Sequence, residues 1–408
     1  MIASTALNTD LLTPLGAYLH VRGEGRASFL LESVEQGRLG RYSLVGCGSR
    51  LVSYEEAEAA NEPVVGYLSY DFVAKLEPTV PLPADGRALP ESRFVVADVL
   101  VRFDHARGLA EVLAGDADEV TALLDAEVPR PPSESGARGS TRRLPSQLEY
   151  ERGVETCKAH IRRGDAFQIV LSQRAERRTD VSALSVYRSL RRVNPSPYLF
   201  LLELDGIALV GSSPETLVKC EGTAASLNPI AGSTPPGEGD AERLLRSEKD
   251  RAEHVMLVDL GRNDLSRVCR PGTVKVERFL EAERFSHITH LVSEVAGELE
   301  EGVTPFELLR ACFPAGTVSG APKVRAMQII SELEGYRRGP YAGAVLYALP
   351  NGTLDACIAI RTVVLHDGLA LLQAGAGIVA GSDPTAEHDE CLRKLEALET
   401  AIDLAEAR

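Results

Sequence analysis

An Asp-Gly pair between two apolar runs is the strongest constraint on how this chain folds. Residues 198–204 and 207–210 are almost entirely apolar, and only Asp205 and Gly206 separate them. Two strands joined in this way form an antiparallel hairpin, because Asp and Gly accept the positive φ angles of a tight two-residue turn. Further short apolar runs, separated by Gly- and Pro-bearing turns, occur earlier in the chain, in residues 11–110. The sequence therefore predicts an α+β fold with two antiparallel β-sheets packed as a sandwich and helices outside.

The composition changes sharply at residues 128–144, which are rich in Pro, Ser, Gly and Arg. Such a segment cannot bury a core and is typical of an exposed linker. Directly after it, Ser146 and Glu149 have the spacing of a capping box, which marks the start of a helix. We therefore predict a strand-rich N-terminal region (1–127), a linker (128–144) and a C-terminal catalytic domain (145–408).

The charge and cysteine content exclude several classes of function. The formal net charge is −15, so the backbone of a nucleic acid is an unfavourable partner. No apolar run has the length of a membrane span and no secretory signal pattern is present. We therefore expect a cytoplasmic protein with no membrane partner. The seven cysteines are scattered singly, which favours buried reduced thiols over disulfides or a zinc site.

Two segments in the C-terminal part each place two carboxylates three residues apart. They are Asp250 with Glu253 and Glu387 with Glu390. Positions i and i+3 of a helix share a face, so each pair forms an acidic face. Two such faces brought together make an oxygen-rich site suited to a hard cation such as Mg²⁺. For each pair taken alone, the alternative is an ordinary solvated helix surface.

The neighbours of the second pair favour a functional interpretation. Lys394 follows Glu390 by four residues, on the same helix face. Gly375 and Gly377 precede the pair, and backbone N–H groups without neighbouring side chains can approach an anion closely. The sequence therefore predicts an anion-binding site beside the cation.

Five long motifs recur in one order along the second half of the chain. They cover residues 251–264, 313–327, 355–362, 373–379 and 387–394. In this order they resemble the chorismate-utilising enzymes, a family that includes component I of anthranilate synthase and of aminodeoxychorismate synthase, isochorismate synthase and salicylate synthase. The resemblance implies the family fold, which is also a sandwich of two antiparallel sheets with helices outside, and a catalytic domain that binds chorismate.

The resemblance implies catalytic roles for three residues. Glu215 is the implied general acid that protonates the departing ring hydroxyl, because hydroxide is a poor leaving group. His290 is implied to act in the elimination of pyruvate, and Thr317 to contact the substrate through its hydroxyl. His254, which follows a proposed metal ligand directly, is expected to orient that ligand.

Further residues are implied to bind the substrate and the metal ion. The enolpyruvyl carboxylate would be held by Tyr341 and Arg361, because a guanidinium pairs with a carboxylate in bidentate fashion. The other implied substrate-binding residues are Gly375, Gly377 and Lys394. An Mg²⁺ ion on the ring carboxylate would be held chiefly by Glu253 and Glu390, with Asp250 and Glu387 as supporting carboxylates.

Two positions discriminate between the branches of this family by the nucleophile that each branch uses. In the run Asn228-Pro-Ile-Ala-Gly-Ser233, Ala231 replaces the Lys whose amine attacks the ring in common aminodeoxychorismate synthases, and alanine is not a nucleophile. Gln168 replaces the Lys that serves as base for water in isochorismate and salicylate synthases, and an amide has no basic nitrogen. Ammonia, which needs no activation, fits what remains.

The favoured activity is therefore the conversion of chorismate and ammonia to anthranilate and pyruvate, a step of tryptophan biosynthesis. The loop with Thr317 and Ser319 also resembles this branch. The alternatives are aminodeoxychorismate synthase component I of the para-aminobenzoate pathway, or a chain that serves both pathways. From another class, the chain could be a tryptophan-binding regulator without activity.

Two separate stretches resemble the family's site for feedback inhibition by tryptophan. One is Leu30-Leu-Glu-Ser33, and the other is Asn194-Pro-Ser-Pro-Tyr198. The resemblance implies that tryptophan binds between them, against the residues Leu31, Glu32, Ser33, Pro197, Tyr198 and Leu199. Residues 66–71 match another family signature, for which an ordinary core strand and turn is the alternative.

The cysteines also predict a partner. None of them lies in a recognisable nucleophile turn, and release of ammonia from glutamine needs a nucleophilic cysteine activated by a histidine. The family couples component I to a glutamine amidotransferase, component II. The resemblance therefore implies such a partner subunit, in a heterotetramer of two chains of each component.

Overall fold

The computed structural model describes residues 6–9, 11–33, 41–87, 89–131, 139–234, 237, 239–284 and 289–407. The strands in these ranges are β1 (Ala6–Asn8), β2 (Ala27–Glu32), β3 (Tyr42–Gly48), β4 (Arg50–Val52), β5 (Val64–Leu68), β6 (Ser92–Val96), β7 (Val99–Asp104), β8 (Leu109–Ala114), β9 (Thr141–Leu144), β10 (Gln168–Arg178), β11 (Tyr198–Leu204), β12 (Ile207–Ser213), β13 (Thr216–Glu221), β14 (Ala224–Leu227), β15 (Ile230–Thr234), β16 (Lys275–Arg284), β17 (Thr289–Glu298), β18 (Gly320–Ala321), β19 (Ala344–Leu349), β20 (Thr353–Ile358), β21 (Thr362–His366) and β22 (Leu369–Ile378). The α-helices are α1 (Pro14–Val21), α2 (Tyr54–Ala59), α3 (Val73–Leu76), α4 (Ala117–Leu124), α5 (Gln147–Arg162), α6 (Ala183–Val193), α7 (Asp240–Arg246), α8 (Glu248–Ser266), α9 (Pro305–Cys312), α10 (Gly316–Ser319), α11 (Lys323–Glu334) and α12 (Pro384–Glu406). A 3-10 helix covers Tyr70–Phe72.

The predicted hairpin lies at the centre of the first sheet. Strands β11 and β12 pair antiparallel, with Leu204 opposite Ile207. The turn residues Asp205 and Gly206 have φ angles of 43° and 89°, and a type I′ turn requires positive φ at both central positions. The hairpin prediction is confirmed.

Strands from both ends of the chain assemble into two antiparallel sheets. Within the described ranges, the first sheet has twelve strands in the order β1-β8-β7-β3-β2-β11-β12-β21-β22-β10-β18, with β9 beside β10. The second has ten strands in the order β15-β17-β14-β13-β20-β19-β5-β6-β4, with β16 beside β17. The predicted α+β class with two antiparallel sheets is confirmed.

The predicted division at residues 128–144 does not coincide with a boundary between the sheets. Strands β1 to β8 precede it, and they contribute to both sheets together with later strands. The last four residues of the predicted linker form β9, which pairs with β10. Residues 132–138 lie outside the described ranges. The division of the chain into two regions and a linker therefore stays a prediction that rests on composition alone.

Alternation along β11 shows how the first sheet is buried on both faces. Phe200 and Leu202 pack into the core between the two sheets, together with Tyr67 of the second sheet. Leu199 and Leu201 pack into a core that helices α1, α6 and α12 cover from outside. Successive side chains of a strand point to opposite faces, so an unbroken apolar run suits a strand with both faces covered.

Helices α8 and α12 carry the two predicted acidic faces. The side chain of Ser247 caps α8 by accepting a hydrogen bond from the backbone N–H of Asp250 at 3.2 Å. Asp383 caps α12 by accepting from the N–H of Ala386 at 2.9 Å, and Pro384 is the first helical residue. Both starts follow the preferences of helix N-termini. Across the described helices, none is both long and apolar enough to cross a membrane.

Candidate active site

A cavity of about 370 Å³ brings most of the predicted site residues together. It lies between β10 and β22 of the first sheet, β15 and β17 of the second, and helices α8 and α12. The predicted residues that line it are Glu215, His290, Thr317, Tyr341, Arg361, Gly375, Gly377, Lys394, Glu253, Glu390 and Asp250. Glu387 does not line it. The volume is that of a pocket for a small organic ligand.

Gly375 and Gly377 make room for neighbouring side chains. They lie on β22 opposite Ser172 and Val170 of β10. A Cβ atom at Gly377 would lie 2.5 Å from Nε2 of Gln168, and one at Gly375 would lie 2.9 Å from the hydroxyl oxygen of Tyr341. Any side chain here would therefore displace groups that line the cavity. The predicted contact of these glycines with an anion stays a prediction.

Lys394 links α12 to the floor of the cavity. Its Nζ donates to the backbone carbonyl of Gly375 at 2.7 Å and forms an ion pair with Glu390 at 2.7 Å. The ammonium group is thereby fixed beside a carboxylate, within a site that also holds Glu215.

Glu215 is a carboxyl group whose protonation is set by burial. Burial raises its pKa to about 7, while the nearby hydroxyl of Thr317 and the charge of Lys394 oppose the shift. The Thr317 hydroxyl lies close enough to Glu215 to favour its carboxylate form. The hydroxyl oxygen is nevertheless buried and makes no well-aligned hydrogen bond within the described chain. Glu215 is therefore partly protonated at neutral pH, and Thr317 retains a hydroxyl for a ligand.

His290 is held as a neutral ring with a defined tautomer. Its Nδ1 lies 2.9 Å from the carbonyl oxygen of Gly232, which sits at a break in the pairing of β15 with β17. A carbonyl only accepts, so Nδ1 carries the proton and Nε2 is the basic nitrogen. Burial lowers the pKa of His290, the Gly232 contact opposes this, and the charge of Arg361 lowers it further. A neutral imidazole in this cavity can accept a proton.

The other histidine considered from the sequence, His254, does not join this group. Nε2 of His254 lies 2.6 Å from the hydroxyl of Ser293, and His254 does not line the cavity. Its expected role in orienting Glu253 stays a prediction.

Arg361 places a half-buried positive charge in the cavity. Its backbone φ is 51°, in the left-handed region that residues with side chains rarely adopt and that is common at functional sites. Burial lowers the pKa of its guanidinium, and the charge of Glu390 partly offsets this. Within the described residues, no carboxylate forms an ion pair with it. Such a guanidinium can bind a carboxylate of a ligand.

The carboxylates that line the cavity fit a hard cation. Such an ion would complete its coordination shell with oxygen atoms of the substrate and of water. Asp250 and Glu253 of α8 and Glu390 of α12 line one cavity. Oε1 of the buried Gln168 has no hydrogen-bond partner in the described chain, while its Nε2 donates to Glu253 at 3.0 Å. Across the described ranges, no three Asp, Glu, His or Cys residues form a complete metal site. Mg²⁺ commonly takes only one or two protein carboxylates, so the residues fit this ion.

The two positions that discriminate between nucleophiles also line the cavity. Ala231 of β15 and Gln168 of β10 both face it. Neither supplies an amine or a base, so the cavity wall provides no covalent nucleophile at these points.

Gln373 was not among the predicted site residues. It lines the cavity from β22, and its Nε2 donates to the hydroxyl of Ser172 at 2.7 Å. The signal was available, because Gln373, Gly375 and Gly377 alternate along one strand and so share a face.

A second cavity, of about 1180 Å³, contains the predicted effector residues. Its lining includes Leu31, Glu32, Ser33, Pro197, Tyr198 and Leu199. The two stretches meet because β2 and β11 are neighbouring antiparallel strands, with Glu32 opposite Leu199. The Ser33 hydroxyl donates to the carbonyl of Pro197 at 2.8 Å. Lys219 and Asp355, an ion pair at 3.1 Å, add charge to the same lining.

The carboxylate of Glu32 is occupied by groups of the protein. It accepts hydrogen bonds from the hydroxyl of Tyr187 and, at 3.1 Å, from the guanidinium of Arg191. Both donors lie on α6. The sequence alone gave no sign that this acidic member of the predicted effector site is paired.

The fold agrees with comparisons to known proteins. Residues 26–400 match the family described as chorismate binding enzyme. The chain belongs to this family.

Relatives within the family carry a more specific name. Anthranilate synthase component 1 of Thermus thermophilus is 41% identical, over 98% of this chain and 97% of that protein. The protein of the same name from Streptomyces coelicolor is 44% identical, over 98% of this chain and 88% of its own length.

Solved structures show the same fold. The crystal structure of anthranilate synthase component I from Streptococcus pneumoniae matches with a TM-score of 0.80 and 31% identity, over 96% of this chain and 98% of that chain. The menaquinone-specific isochorismate synthase of Escherichia coli matches with a TM-score of 0.78 over 98% of this chain and 94% of that chain, but at 20% identity. The latter likeness concerns the fold alone.

The protonation of Glu215 can be tested directly. Infrared difference spectra between the wild type and Glu215→Gln should show a protonated carboxyl band that disappears with a midpoint near pH 7, because burial disfavours the charged form. Thr317→Val removes a group that favours the carboxylate, so the midpoint should rise. A band that titrates near the ordinary value of 4.5 would contradict the buried environment.

Proposed function

We propose that this chain is component I of an anthranilate synthase, which converts chorismate and ammonia to anthranilate, pyruvate and water. The observation that carries the proposal is one cavity that joins an acid (Glu215), a neutral imidazole (His290) and a half-buried cation (Arg361). At the two positions where other branches of the family carry a nucleophilic amine or a base for water, this cavity has Ala231 and Gln168. The names of the relatives support the same branch of the family.

The first half-reaction needs an acid and an incoming amine. Arg361 and Tyr341 would hold the enolpyruvyl carboxylate of chorismate, which orients the ring. Glu215, with its raised pKa, would donate its proton to the departing ring hydroxyl, which leaves as water. Ammonia adds to the ring as the hydroxyl departs and then loses a proton. The product of this half-reaction is an aminated ring that still carries the enolpyruvyl group.

The second half-reaction needs a base. Nε2 of His290 would take the proton from the ring carbon that now bears the amine. The ring becomes aromatic as the bond to the enolpyruvyl oxygen breaks, and the released enol takes up a proton to give pyruvate. A lowered pKa keeps the imidazole unprotonated at neutral pH and therefore ready for this step.

A magnesium ion would be held chiefly by Glu253 and Glu390, with Asp250 nearby in the same cavity. When bound, the ion supplies positive charge to the ring carboxylate of the substrate. Glu387 lies on the same helix as Glu390 but outside the cavity lining, so we propose for it only an indirect supporting role.

Removal of one charged ligand should weaken the binding of Mg²⁺. Glu390→Gln keeps the shape of the side chain but removes an anionic oxygen ligand. We expect calorimetric Mg²⁺ affinity to fall at least about tenfold, with a parallel loss of activity and no change in fold. Glu396→Gln, an exposed position on the same helix, is the matched control. Wild-type Mg²⁺ affinity in Glu390→Gln would exclude this ligand.

Loss of the base should separate the two half-reactions. His290→Ala should still add ammonia to chorismate, because Glu215 is intact, but should release pyruvate about 10²-fold or more slowly. Chromatography of the reaction mixture should show accumulation of the aminated, non-aromatic compound. If both half-reactions fall equally, His290 supports the structure rather than the elimination.

We propose further that tryptophan binds in the second cavity and inhibits the reaction. The apolar side chain of Leu31 suits an indole, and Lys219 and Asp355 offer opposite charges to an amino acid. The hydroxyls of Tyr198 and Thr216 lie 2.8 Å apart, and Thr216 directly follows Glu215. Occupation of this cavity therefore has a short physical connection to the general acid, as inhibition through a less active conformation requires.

A larger side chain in the second cavity should relieve the inhibition. Ser33→Leu fills the space against Pro197 and removes the hydrogen bond between the two. We expect the tryptophan concentration for half inhibition to rise about tenfold or more, with little change in activity without tryptophan. Indifference of the wild type to millimolar tryptophan would rule out the site.

The cysteines support the need for a partner that supplies ammonia. All seven are buried. Burial raises the pKa of each thiol, for example that of Cys391 to about 11, whereas a nucleophilic cysteine needs a lowered pKa. We propose that a glutamine amidotransferase subunit, component II, delivers ammonia in a heterotetramer of two chains of each kind.

The nitrogen source and the product test the whole proposal. The purified chain with Mg²⁺ should form anthranilate from chorismate and ammonium salts, increasingly as pH rises toward the pKa of ammonium, but not from glutamine. Added component II should restore glutamine use, and light scattering should show the four-chain complex. The para isomer as product would assign the chain to aminodeoxychorismate synthesis instead. Glutamine use by the chain alone would reveal a second active site.

A further inference from the structure

The most deeply buried ion pair near the cavity is not part of its lining. Glu334, the last residue of α11, and Arg338 in the following turn each have only 1% of their side chain exposed. The pair is bidentate, with Nε to Oε2 at 2.9 Å and Nη2 to Oε1 at 2.7 Å. Such a pair is often no more stabilising than two packed apolar residues, because both charges are desolvated. Stability alone is therefore a weak reason for it.

Arg338 joins two segments of the cavity wall. Its Nη1 donates to the carbonyl of Val318 at 2.7 Å, and its Nη2 donates to the carbonyl of Val170 at 2.8 Å. Val318 directly follows Thr317, and both valines line the cavity. The guanidinium carbon also lies 5.6 Å from the centre of the Tyr341 ring. One side chain thus fixes helix α10, which carries the Thr317 hydroxyl, against β10 and Tyr341.

Glu334 extends the same network to the floor of the cavity. Its Oε1 accepts from the backbone N–H and the hydroxyl of Ser172, at 2.8 and 2.6 Å. The Ser172 hydroxyl in turn accepts from Nε2 of Gln373 at 2.7 Å. Because Gln373 lines the cavity, the carboxylate of Glu334 holds β10 and β22 in one arrangement.

A residue from the N-terminal part fixes the turn that carries Arg338. Oδ1 and Oδ2 of Asp71 accept from the backbone N–H groups of Arg338 and Gly339, at 3.2 and 3.1 Å. Asp71 ends the family signature at residues 66–71. This signature is therefore more than a core strand, because its last side chain holds the turn beneath the cavity.

We infer that Arg338 and Glu334 are positioning residues for the reaction, which set the Thr317 hydroxyl and Tyr341 relative to Glu215. The inference rests on the proposed function. Neither residue lines the cavity, so neither is a catalytic residue. Their loss acts through the placement of groups that do touch the substrate, and misplacement by about 1 Å can lower a rate about 10²-fold.

The chain offers a matched control pair. Arg177 and Glu406 form an ion pair with 4% and 2% of their side chains exposed. Arg177 also donates to Asp403 at 2.6 Å, and Glu406 accepts from Thr179 at 2.9 Å. None of these four residues lines the cavity. The control pair has the same chemistry and burial without a connection to the site.

The experiment compares two double variants in which each ion pair is replaced by apolar residues of similar volume. They are Arg338→Met with Glu334→Leu, and Arg177→Met with Glu406→Leu. Melting temperature, kcat and KM for chorismate are measured with ammonium as nitrogen source. We expect both to fold, because such replacement is often neutral for stability. The first should lose about tenfold or more in kcat, with a smaller change in KM, and the control should keep wild-type kcat.

Two single variants keep the test decisive if a double variant fails to fold. Arg338→Lys and Arg177→Lys preserve the buried charge, but a lysine cannot reproduce the planar fork that bonds the two carbonyls and the carboxylate together. Arg338→Lys should lower kcat about tenfold at a melting temperature near that of Arg177→Lys, whose kcat should be unchanged.

The outcomes separate this inference from the proposed function. Wild-type kcat in folded Arg338 variants, or an equal loss in both pairs, would overturn the positioning role while the wild type still makes anthranilate. A wild type that forms no anthranilate would overturn the proposed function itself, and the inference with it.

Discussion

The register between β10 and β22 decides which side chains face the cavity. Val170 lies opposite Gly377 and Ser172 opposite Gly375, so these residues share one face of the sheet. The alternate residues of β10, Ile169 and Leu171, pack on the other face against α5 and α11. A shift of one residue would exchange the two faces. The Glu334–Arg338 pair bonds to the carbonyl of Val170 and the N–H of Ser172, so we infer that it helps to hold this part of β10 in the position that the site needs.

Burial sets the chemistry of the two groups proposed to move protons. It raises the pKa of Glu215 to about 7 and lowers that of His290. Both shifts favour the neutral form, because a charged group loses hydration when it leaves water. One wall therefore presents a proton donor and another presents an acceptor at the same pH. The charged residues Arg361 and Lys394 remain beside them for an anionic ligand.

The two cavities are connected through a short part of the second sheet. Tyr198 lines the larger cavity, and its hydroxyl contacts Thr216, the residue after Glu215. It also donates to Asp355 at 3.1 Å. Strand β13 begins at Thr216, directly after Glu215 of the smaller cavity. A single hydrogen bond therefore joins a residue of the larger cavity to the neighbour of Glu215.

The sequence by itself determined the local elements and the residue types of the site. Asp205-Gly206 specified a hairpin, Ser146 with Glu149 specified a helix start, in which the Ser146 N–H contacts Glu149 at 2.9 Å, and the spacing of Glu253 and Glu390 from their neighbours specified acidic helix faces. These features depend on turn chemistry and on the periods of helix and strand, which act over a few residues. Family motifs then identified most residues that line the cavity.

Only the tertiary structure decided which distant segments meet. In the structure, β2 pairs with β11, and Glu387 lies outside the cavity lining. Asp71 accepts a hydrogen bond from the turn at Arg338. Composition marked residues 128–144 as a boundary, yet strands from both sides of it share both sheets. The physical reason is that strand partners are chosen by matching buried faces across the whole chain. Local patterns record that a face is apolar, but not which other face covers it.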